Sequence, residues 1–251
     1  MLILPERSDL ILACHLTGIH DVNRNTTLPN DDFSLVEGWA GSVVKNKLHG
    51  IIFHNNFSHA TTQKYENENL RFVKVELLKS FNPNVFRYFV YLNFLQNQLK
   101  NIANLFATDI SDVVVLQDPF KQQLFLANPE ALFCGDEPKT LENDWMIAHS
   151  AHLRSGILDF EAYEEKFKSE VLLNCGIIGG NASLMLSFLE KLCHIHKTHN
   201  QNNKTGYTGD MGAFNYLVRT QYNHKLFHGE PVNTEFKAYQ MDRRDCWFRH
   251  K

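Results

Sequence analysis

The pattern of apolar and polar residues alternates between two periods along the first 110 positions. Three short apolar runs are typical of buried strands: 9–17, 50–56 and "NLFAT" at 104–108. The stretch 71–77 alternates apolar and basic residues, as a strand also would. Segments with the apolar spacing of a helix lie between these predicted strands, over 31–47 and 84–99. Strands that alternate with helices indicate a parallel sheet of the doubly wound kind, in which ligands bind beyond the carboxyl ends of the strands.

The second half of the chain is less regular. It predicts a strand and turn at 131–137, a short polar helix at 160–168, and a strand, glycine turn and long helix over 171–199. A further helix is expected over 209–222, with Asp210 as its cap. No repeat and no linker rich in Pro, Gly or Ser divides the chain. We therefore expect one α/β domain, with a mixed, mostly parallel sheet flanked by helices.

Composition and charge narrow the functional classes. The formal net charge of −3 gives no chain-wide attraction to nucleic acid or to an anionic membrane. The sequence shows neither a basic region typical of a signal peptide nor an apolar window long enough to span a bilayer. The five cysteines are scattered and form no CxxC motif, which is typical of free thiols in a reducing compartment. We expect a soluble cytoplasmic protein.

Two carboxylates, Asp109 and Asp112, directly follow the predicted strand at 104–108. Such a pair costs desolvation and like-charge repulsion, and a cation between the two groups offsets both. Hard oxygen ligands favour Mg²⁺ or Mn²⁺, which in proteins often bridge carboxylates to substrate phosphates. The alternative is that Asp109 caps a turn while Asp112 is solvated.

The stretch "TDISDVVVLQDPF" at 108–120 resembles the metal-binding segment of nucleotide-diphospho-sugar transferases of the GT-A fold, where a DxD or DxxD sequence ends a strand. Six more stretches resemble the same family in the expected order: 84–95, 132–137, 172–180, 209–222, 228–237 and 246–251. The resemblance implies one Rossmann-like catalytic domain over 1–251. Residues 1–108 would form its nucleotide-binding half, and 109–251 its metal, sugar and acceptor half. In the first 75 residues only the first strand and the following turn are comparable.

The resemblance assigns a divalent metal, Mn²⁺ or Mg²⁺, to the acidic motif. Asp109 and Asp112 would hold the ion that binds the donor diphosphate, with His250 in "FRHK" as the third ligand. Lys251 would neutralise phosphate charge, since a leaving nucleoside diphosphate gains negative charge. A free basic tail is the alternative for His250 and Lys251.

Four other residues match positions of the family that face the substrates. Arg87 would contact the donor diphosphate or Asp109, and a surface arginine is its alternative. Asn174 and Gly176 in "NCGIIGG" match an Asn-x-Gly that lines the donor-sugar or acceptor site, although the glycines after them would also suit an ordinary turn. Asp210 would face the reacting sugar or the acceptor hydroxyl, and would be the base if the enzyme inverts.

The donor nucleotide is expected beside the stretch "CHLTGIHDVNRN", because it follows the first strand. Thr17, Asp21 and Arg24 are the candidate contacts there. The histidine-rich "HIHKTH" at 194–199 would suit zinc, but a polar helix end without cysteine partners disfavours that reading.

The function implied is a metal-dependent glycosyltransferase that moves a sugar from a nucleotide-diphosphate-sugar donor to a hydroxyl. The acceptor would be a hydroxymethylated DNA base, as in phage-type DNA modification, or a glycan precursor. Arg243, Arg244, Arg249 and Lys251 could contact DNA phosphates. Two alternatives stay open: a nucleotidyltransferase that makes or uses nucleotide sugars, and a non-catalytic nucleotide-sugar-binding module.

Overall fold

The structure is a computed structural model that describes residues 7–21, 25–78, 80–200 and 209–251. Its strands are β1 (Ser8–His15), β2 (His20–Asp21), β3 (Thr26–Thr27), β4 (His49–His54), β5 (Leu70–Lys74), β6 (Ile102–Thr108), β7 (Val113–Val115), β8 (Leu132–Thr140), β9 (Val171–Asn181), β10 (Leu226–His228) and β11 (Phe248–His250). Its α-helices are α1 (Glu37–Lys45), α2 (His59–Tyr65), α3 (Pro83–Gln98), α4 (Gln123–Ala127), α5 (Asp144–Arg154), α6 (Phe160–Phe167), α7 (Ala182–His199) and α8 (Asp210–Leu217).

Seven strands form the central sheet in the order β10-β8-β9-β6-β1-β4-β5. Strand β9 is antiparallel to both neighbours, and every other pair in the sheet is parallel. The predicted α/β class and the mixed, mostly parallel sheet are confirmed. The acids at 109 and 112 follow the carboxyl end of β6, next to the end of β1, where a sheet of this kind binds ligands.

Both faces of the sheet are buried. Successive side chains of a strand point to opposite faces, so Leu105 packs into one core and Phe106 into the other. Helices α3 and α5 to α8 cover the first face, while α1, α4, β7 and β11 cover the second. Because both faces are covered, β1, β4 and β6 show as nearly continuous apolar runs, whereas the edge strand β5 is only partly buried.

The segment "VVVLQDPF", which follows the acidic pair, does not continue the central sheet. Val113–Val115 instead pairs antiparallel with Phe248–His250 in a separate two-stranded ribbon. The ribbon is held by burial, because Phe248 packs against Phe106 with ring centroids 5.1 Å apart. This ribbon brings the C-terminal residues to the carboxyl end of β6.

The glycines of "IIGGN" lie in a strand and not in a turn. Strand β9 runs to Asn181, whose side chain accepts a hydrogen bond from the Leu184 backbone N–H at 2.8 Å and so caps α7. A Cβ at Gly179 would lie 2.3 Å from a ring carbon of Phe106. Glycine is required here because the ring of the neighbouring strand occupies the space of a side chain.

The start of α8 also differs from the prediction. Gly209 is its N-cap, with a left-handed φ of 71°, and Asp210 is the first helical residue and not the cap. Helices α2 and α5 were not predicted; α2 has no buried residue, so it lacks the apolar stripe that marks a helix. None of the described helices is long and apolar enough to cross a membrane.

Candidate functional site

A cavity of about 460 Å³ opens at the carboxyl ends of β1 and β6. Six of the residues predicted for the site line it: Arg87, Asp109, Asp112, Asn174, Asp210 and His250. They come from α3, β9, α8, β11 and the loop after β6. The tertiary structure therefore brings together residues that are far apart in the sequence.

Asp109, Asp112 and His250 form what we call the acid–histidine cluster. One potential ligand atom of each lies within 4.8 Å of the others, and this is the one such group in the described part of the chain. The imidazole Nε2 of His250 is 4.0 Å from Oδ2 of Asp109 and 3.9 Å from Oδ2 of Asp112. Two carboxylate oxygens and one imidazole nitrogen could together hold a divalent cation.

Backbone hydrogen bonds fix the loop that carries the two acids. The Asp109 N–H donates to the Gly176 carbonyl at 2.7 Å, and the Lys251 N–H donates to the Asp112 carbonyl at 2.9 Å. One residue earlier, Thr108 accepts a 2.7 Å hydrogen bond from the indole N–H of Trp39. The acids are thus positioned by β9, by β11 and by α1.

Arg87 occupies the floor of the cavity between two acids. One guanidinium nitrogen, Nη1, pairs with Oδ1 of Asp109, and the other, Nη2, is 3.7 Å from Oδ2 of Asp210. Nη2 also donates to the Tyr88 hydroxyl at 3.1 Å. Of the two predicted partners of Arg87, the structure pairs it with Asp109. Because Arg87 takes Oδ1, the Oδ2 atom of Asp109 is the oxygen that faces His250.

His250 is almost fully buried, and burial lowers its pKa to about 4 although the charge of Asp109 opposes the shift. Its imidazole is therefore neutral at neutral pH, which is the form that binds metals. The Phe236 ring packs against it, with centroids 4.6 Å apart, and its backbone N–H donates to the Thr234 hydroxyl at 3.3 Å. The residue is docked and does not belong to a free tail.

Gly176 leaves space beside the acid–histidine cluster. A Cβ at this position would lie 2.6 Å from Oδ2 of Asp109, 2.7 Å from Cε1 of His250 and 2.8 Å from Oδ1 of Asn174. Asn174 is held by two hydrogen bonds: its Oδ1 accepts from the Gly176 N–H at 2.7 Å, and its Nδ2 donates to Glu137 at 2.8 Å. Sequence reasoning missed Glu137, whose carboxyl pKa is raised by burial.

Asp210 is buried on the opposite wall, at the start of α8. Its Oδ2 lies 3.7 Å from the thiol of Cys175, which donates to it, and 3.7 Å from Arg87. Burial holds the pKa of the Cys175 thiol well above its ordinary value. Cys175 is therefore a neutral thiol and is not suited to act as a nucleophile.

The donor contacts that were predicted near β1 and at residue 251 do not line the cavity in the described part of the chain. The polar groups of Thr17 bond within the fold: its N–H donates to Asn55 at 2.9 Å, and its hydroxyl donates to Asn30 at 3.2 Å. The side chain of Asp21 and the whole of Arg24 lie outside the described residues. The Lys251 side chain is half-buried and is not among the cavity-lining residues.

Several lining residues were not singled out individually in the sequence. Apolar side chains form the wall beside β1: Leu16, Ile19, Leu28 and Leu35. Glu137, Lys139, Trp145 and Lys237 line the other side. Lys237 has a left-handed φ of 62°, which is unusual for a residue with a side chain. Glu137 and Lys237 end two of the stretches that carry the family resemblance, 132–137 and 228–237, but only the fold shows that they line the cavity.

No model of a known protein family matches the chain, and a search of curated proteins found no match either. The resemblance carried by the stretches between residues 84 and 251 thus stays an expectation from the sequence. Function has to be inferred from the residues that meet in the cavity.

Proposed function

We propose that the protein is a metal-dependent glycosyltransferase of the GT-A kind, which moves a sugar from a nucleotide-diphosphate-sugar to a hydroxyl acceptor. The observation that carries the proposal is the convergence of Asp109, Asp112 and His250 at the carboxyl end of β6, in a cavity that also holds Arg87. A ligand site at this edge of a mostly parallel sheet agrees with the ordered sequence resemblance.

The acid–histidine cluster fits Mn²⁺ or Mg²⁺. Its carboxylates are about one-third exposed, so they are open to the cavity, and its histidine is neutral. Gly176 supports the assignment, because any larger residue would fill the space between Asp109 and His250. A divalent cation held here would offset the charge of the donor diphosphate as the sugar–phosphate bond breaks.

The protein's own cations also act on the diphosphate. Arg87 contacts Asp109 and Asp210 and orients both carboxylates. Lys237 lines the cavity together with Glu137 and His250. We assign to Lys237 the role of neutralising phosphate charge, which the sequence resemblance gave to Lys251.

The two remaining walls suit the two ends of the donor. The apolar wall of Leu16, Ile19 and Leu28 would pack against the nucleoside, as the position after the first strand indicates. Asn174 and Asp210 would contact the sugar and the acceptor hydroxyl on the other side. Asp210 would receive the acceptor proton in an inverting reaction, whereas in a retaining reaction the leaving phosphate would take it.

The test is to supply the protein with Mn²⁺ and a panel of nucleotide sugars, and to identify the released nucleotide. We expect a nucleoside diphosphate, released by slow hydrolysis when no acceptor is present. Asp112→Asn should lower the rate by about 100-fold or more, since it removes a ligand charge and preserves shape. Asp242→Asn, on an exposed carboxylate elsewhere, is the matched control.

Three results would contradict the proposal in different ways. Release of nucleoside monophosphate or pyrophosphate would indicate a nucleotidyltransferase. Donor binding without any turnover would indicate a binding module. Normal turnover by Asp112→Asn would remove Asp112 from the metal site.

A further inference from the structure

Trp145 is the one tryptophan of the chain with a large exposed area. Its side chain is 42% exposed, whereas Trp39 and Trp247 are each 1% exposed and both belong to the core on the second face of the sheet. A single exposed aromatic residue on a general surface needs no explanation. Trp145, however, lines the cavity, on the side of Glu137 and Asn174.

The indole of Trp145 is held in a fixed plane. It stacks on the buried imidazole of His149, one helical turn along α5, with ring centroids 3.6 Å apart and an interplanar angle of 26°. Asn143 caps this helix by accepting a hydrogen bond from the Met146 N–H at 3.0 Å. Since His149 covers one face of the indole, the exposed area belongs to the other face and to the edge. A rigid aromatic platform results.

Polar residues line the same cavity as this platform. Glu137 and Asn143 are two of them. Glu137 is itself held by the 2.8 Å hydrogen bond from Asn174, the residue next to the acid–histidine cluster. A sugar ring has an apolar face of C–H groups and an edge of hydroxyls. It can therefore stack on an indole while it donates hydrogen bonds to a carboxylate.

Three of the four groups expected to bind DNA phosphates are used within the fold. Arg243 pairs with Glu230 at 2.8 Å and with Asp245 at 2.6 Å. Arg249 is 8% exposed and donates to the Met241 carbonyl at 3.0 Å, and Arg244 donates to the same carbonyl at 2.7 Å. DNA binding relies on cations that are free to replace condensed counterions, so these contacts disfavour a DNA acceptor.

We propose that the acceptor is a neutral carbohydrate whose ring stacks on Trp145 and whose hydroxyls bond to Glu137. The inference rests on the proposed glycosyltransferase function and specifies its acceptor class. It divides the cavity into an apolar nucleoside wall at β1, a metal-binding centre at β6 and a sugar platform at α5.

The test uses the full chain with Mn²⁺ and the nucleotide sugar that it hydrolyses fastest. Methyl glycosides and short oligosaccharides are supplied in one set of reactions, and a duplex oligonucleotide with hydroxymethylcytosine in another. Products are identified by mass spectrometry. We expect a glycoside to be glycosylated and the oligonucleotide to stay unmodified.

Variants then test the platform on the best glycoside. Trp145→Ala should lower kcat/KM about tenfold or more, mainly by raising the KM for the acceptor, because the stacking surface is lost. Trp145→Phe should recover most of this loss. Ile147→Ala is the matched control, since Ile147 is 47% exposed on the same helix and does not line the cavity. Thermal unfolding of each variant separates folding defects from binding defects.

The outcomes distinguish the two proposals. If the native protein releases no nucleoside diphosphate from any donor, the glycosyltransferase function itself fails. If it hydrolyses a donor but modifies the oligonucleotide, or uses no glycoside, the carbohydrate acceptor is wrong. An unchanged acceptor KM in Trp145→Ala would equally remove Trp145 from the acceptor site.

Discussion

Two regions of the molecule contain several side chains of the types that can bind metals. The regions differ in whether these side chains converge on one point or pack inside the fold. The acid–histidine cluster joins the loop after β6 to β11. The second, which we call the histidine-rich region, lies on α5 and α7 and consists of His149, His152, His196 and His199. In the acid–histidine cluster, ligand atoms converge within 4.8 Å and the carboxylates open into a cavity.

In the histidine-rich region the imidazoles serve packing instead. His196 is fully buried, stacks on Tyr88 with ring centroids 5.7 Å apart, and its Nδ1 lies 3.2 Å from the side-chain amide of Asn200. His152 packs so closely on Gly209 that a Cβ there would lie 2.4 Å from its ring. Residue type alone therefore does not indicate a metal site. Of the two regions, only the acid–histidine cluster combines convergent ligand atoms with access to solvent, as a metal site requires.

The largest expected effect tests this contrast directly. His250→Ala should weaken Mn²⁺ binding by about 100-fold, because it removes a ligand of a three-residue site. His152→Ala should leave Mn²⁺ affinity unchanged. Isothermal titration of Mn²⁺ into each variant measures both values. If both variants lost the same Mn²⁺ affinity, or if His250→Ala lost none, the contrast between the two regions would be wrong.

A smaller effect is expected at the glycine beside the acid–histidine cluster. Gly176→Ala would force a methyl group against Asp109 and His250, so we expect Mn²⁺ affinity to fall about tenfold. The matched control is Gly41→Ala in α1, where an added Cβ meets no atom within 4 Å. This control should raise the free energy of unfolding by about 0.5 to 1 kcal/mol, since alanine suits a helix better. Normal Mn²⁺ affinity in Gly176→Ala would show that the cluster has more room than the structure indicates.

The smallest expected effect concerns the pH dependence of stability, and it tests whether the fold keeps a histidine of the histidine-rich region neutral. Burial lowers the pKa of His196 to about 3, from an ordinary 6.5, so the folded protein does not take up the proton that the unfolded chain binds below pH 6.5. The free energy of unfolding should therefore fall as the pH drops from 6.5. His196→Gln should reduce the loss between pH 6.5 and 5.5 by about 1 kcal/mol.

Urea unfolding at both pH values measures this change, and the difference between the two free energies cancels most of the packing cost of the substitution. An identical pH dependence in His196→Gln and in the native protein would mean that His196 is not held neutral by the fold. His54 and His250, whose pKa values burial lowers to about 4, would then account for the remaining acid sensitivity.

Much of the fold followed from local patterns. The apolar runs predicted β1, β4 and β6, an alternating stretch predicted β5, and helical spacing predicted α3, because burial on one or both faces imposes a period that the sequence shows directly. Helix α5 was missed because its buried face includes His149 and Ser150, so its apolar stripe is interrupted. The predicted cap at Asp210 was wrong by one residue, since the glycine before it supplies the left-handed backbone.

The sequence by itself determined that two carboxylates stand at the end of a buried strand, because strand ends and acids are both local features. Only the tertiary structure decided what meets them there. The pairing of β7 with β11 brings His250 to Asp112, and strand β9 brings Gly176 to Asp109. These contacts join segments far apart in the chain, whose register is set by burial of residues such as Phe248 against the sheet. A periodic pattern specifies which face of a segment is buried, but not which distant segment covers it.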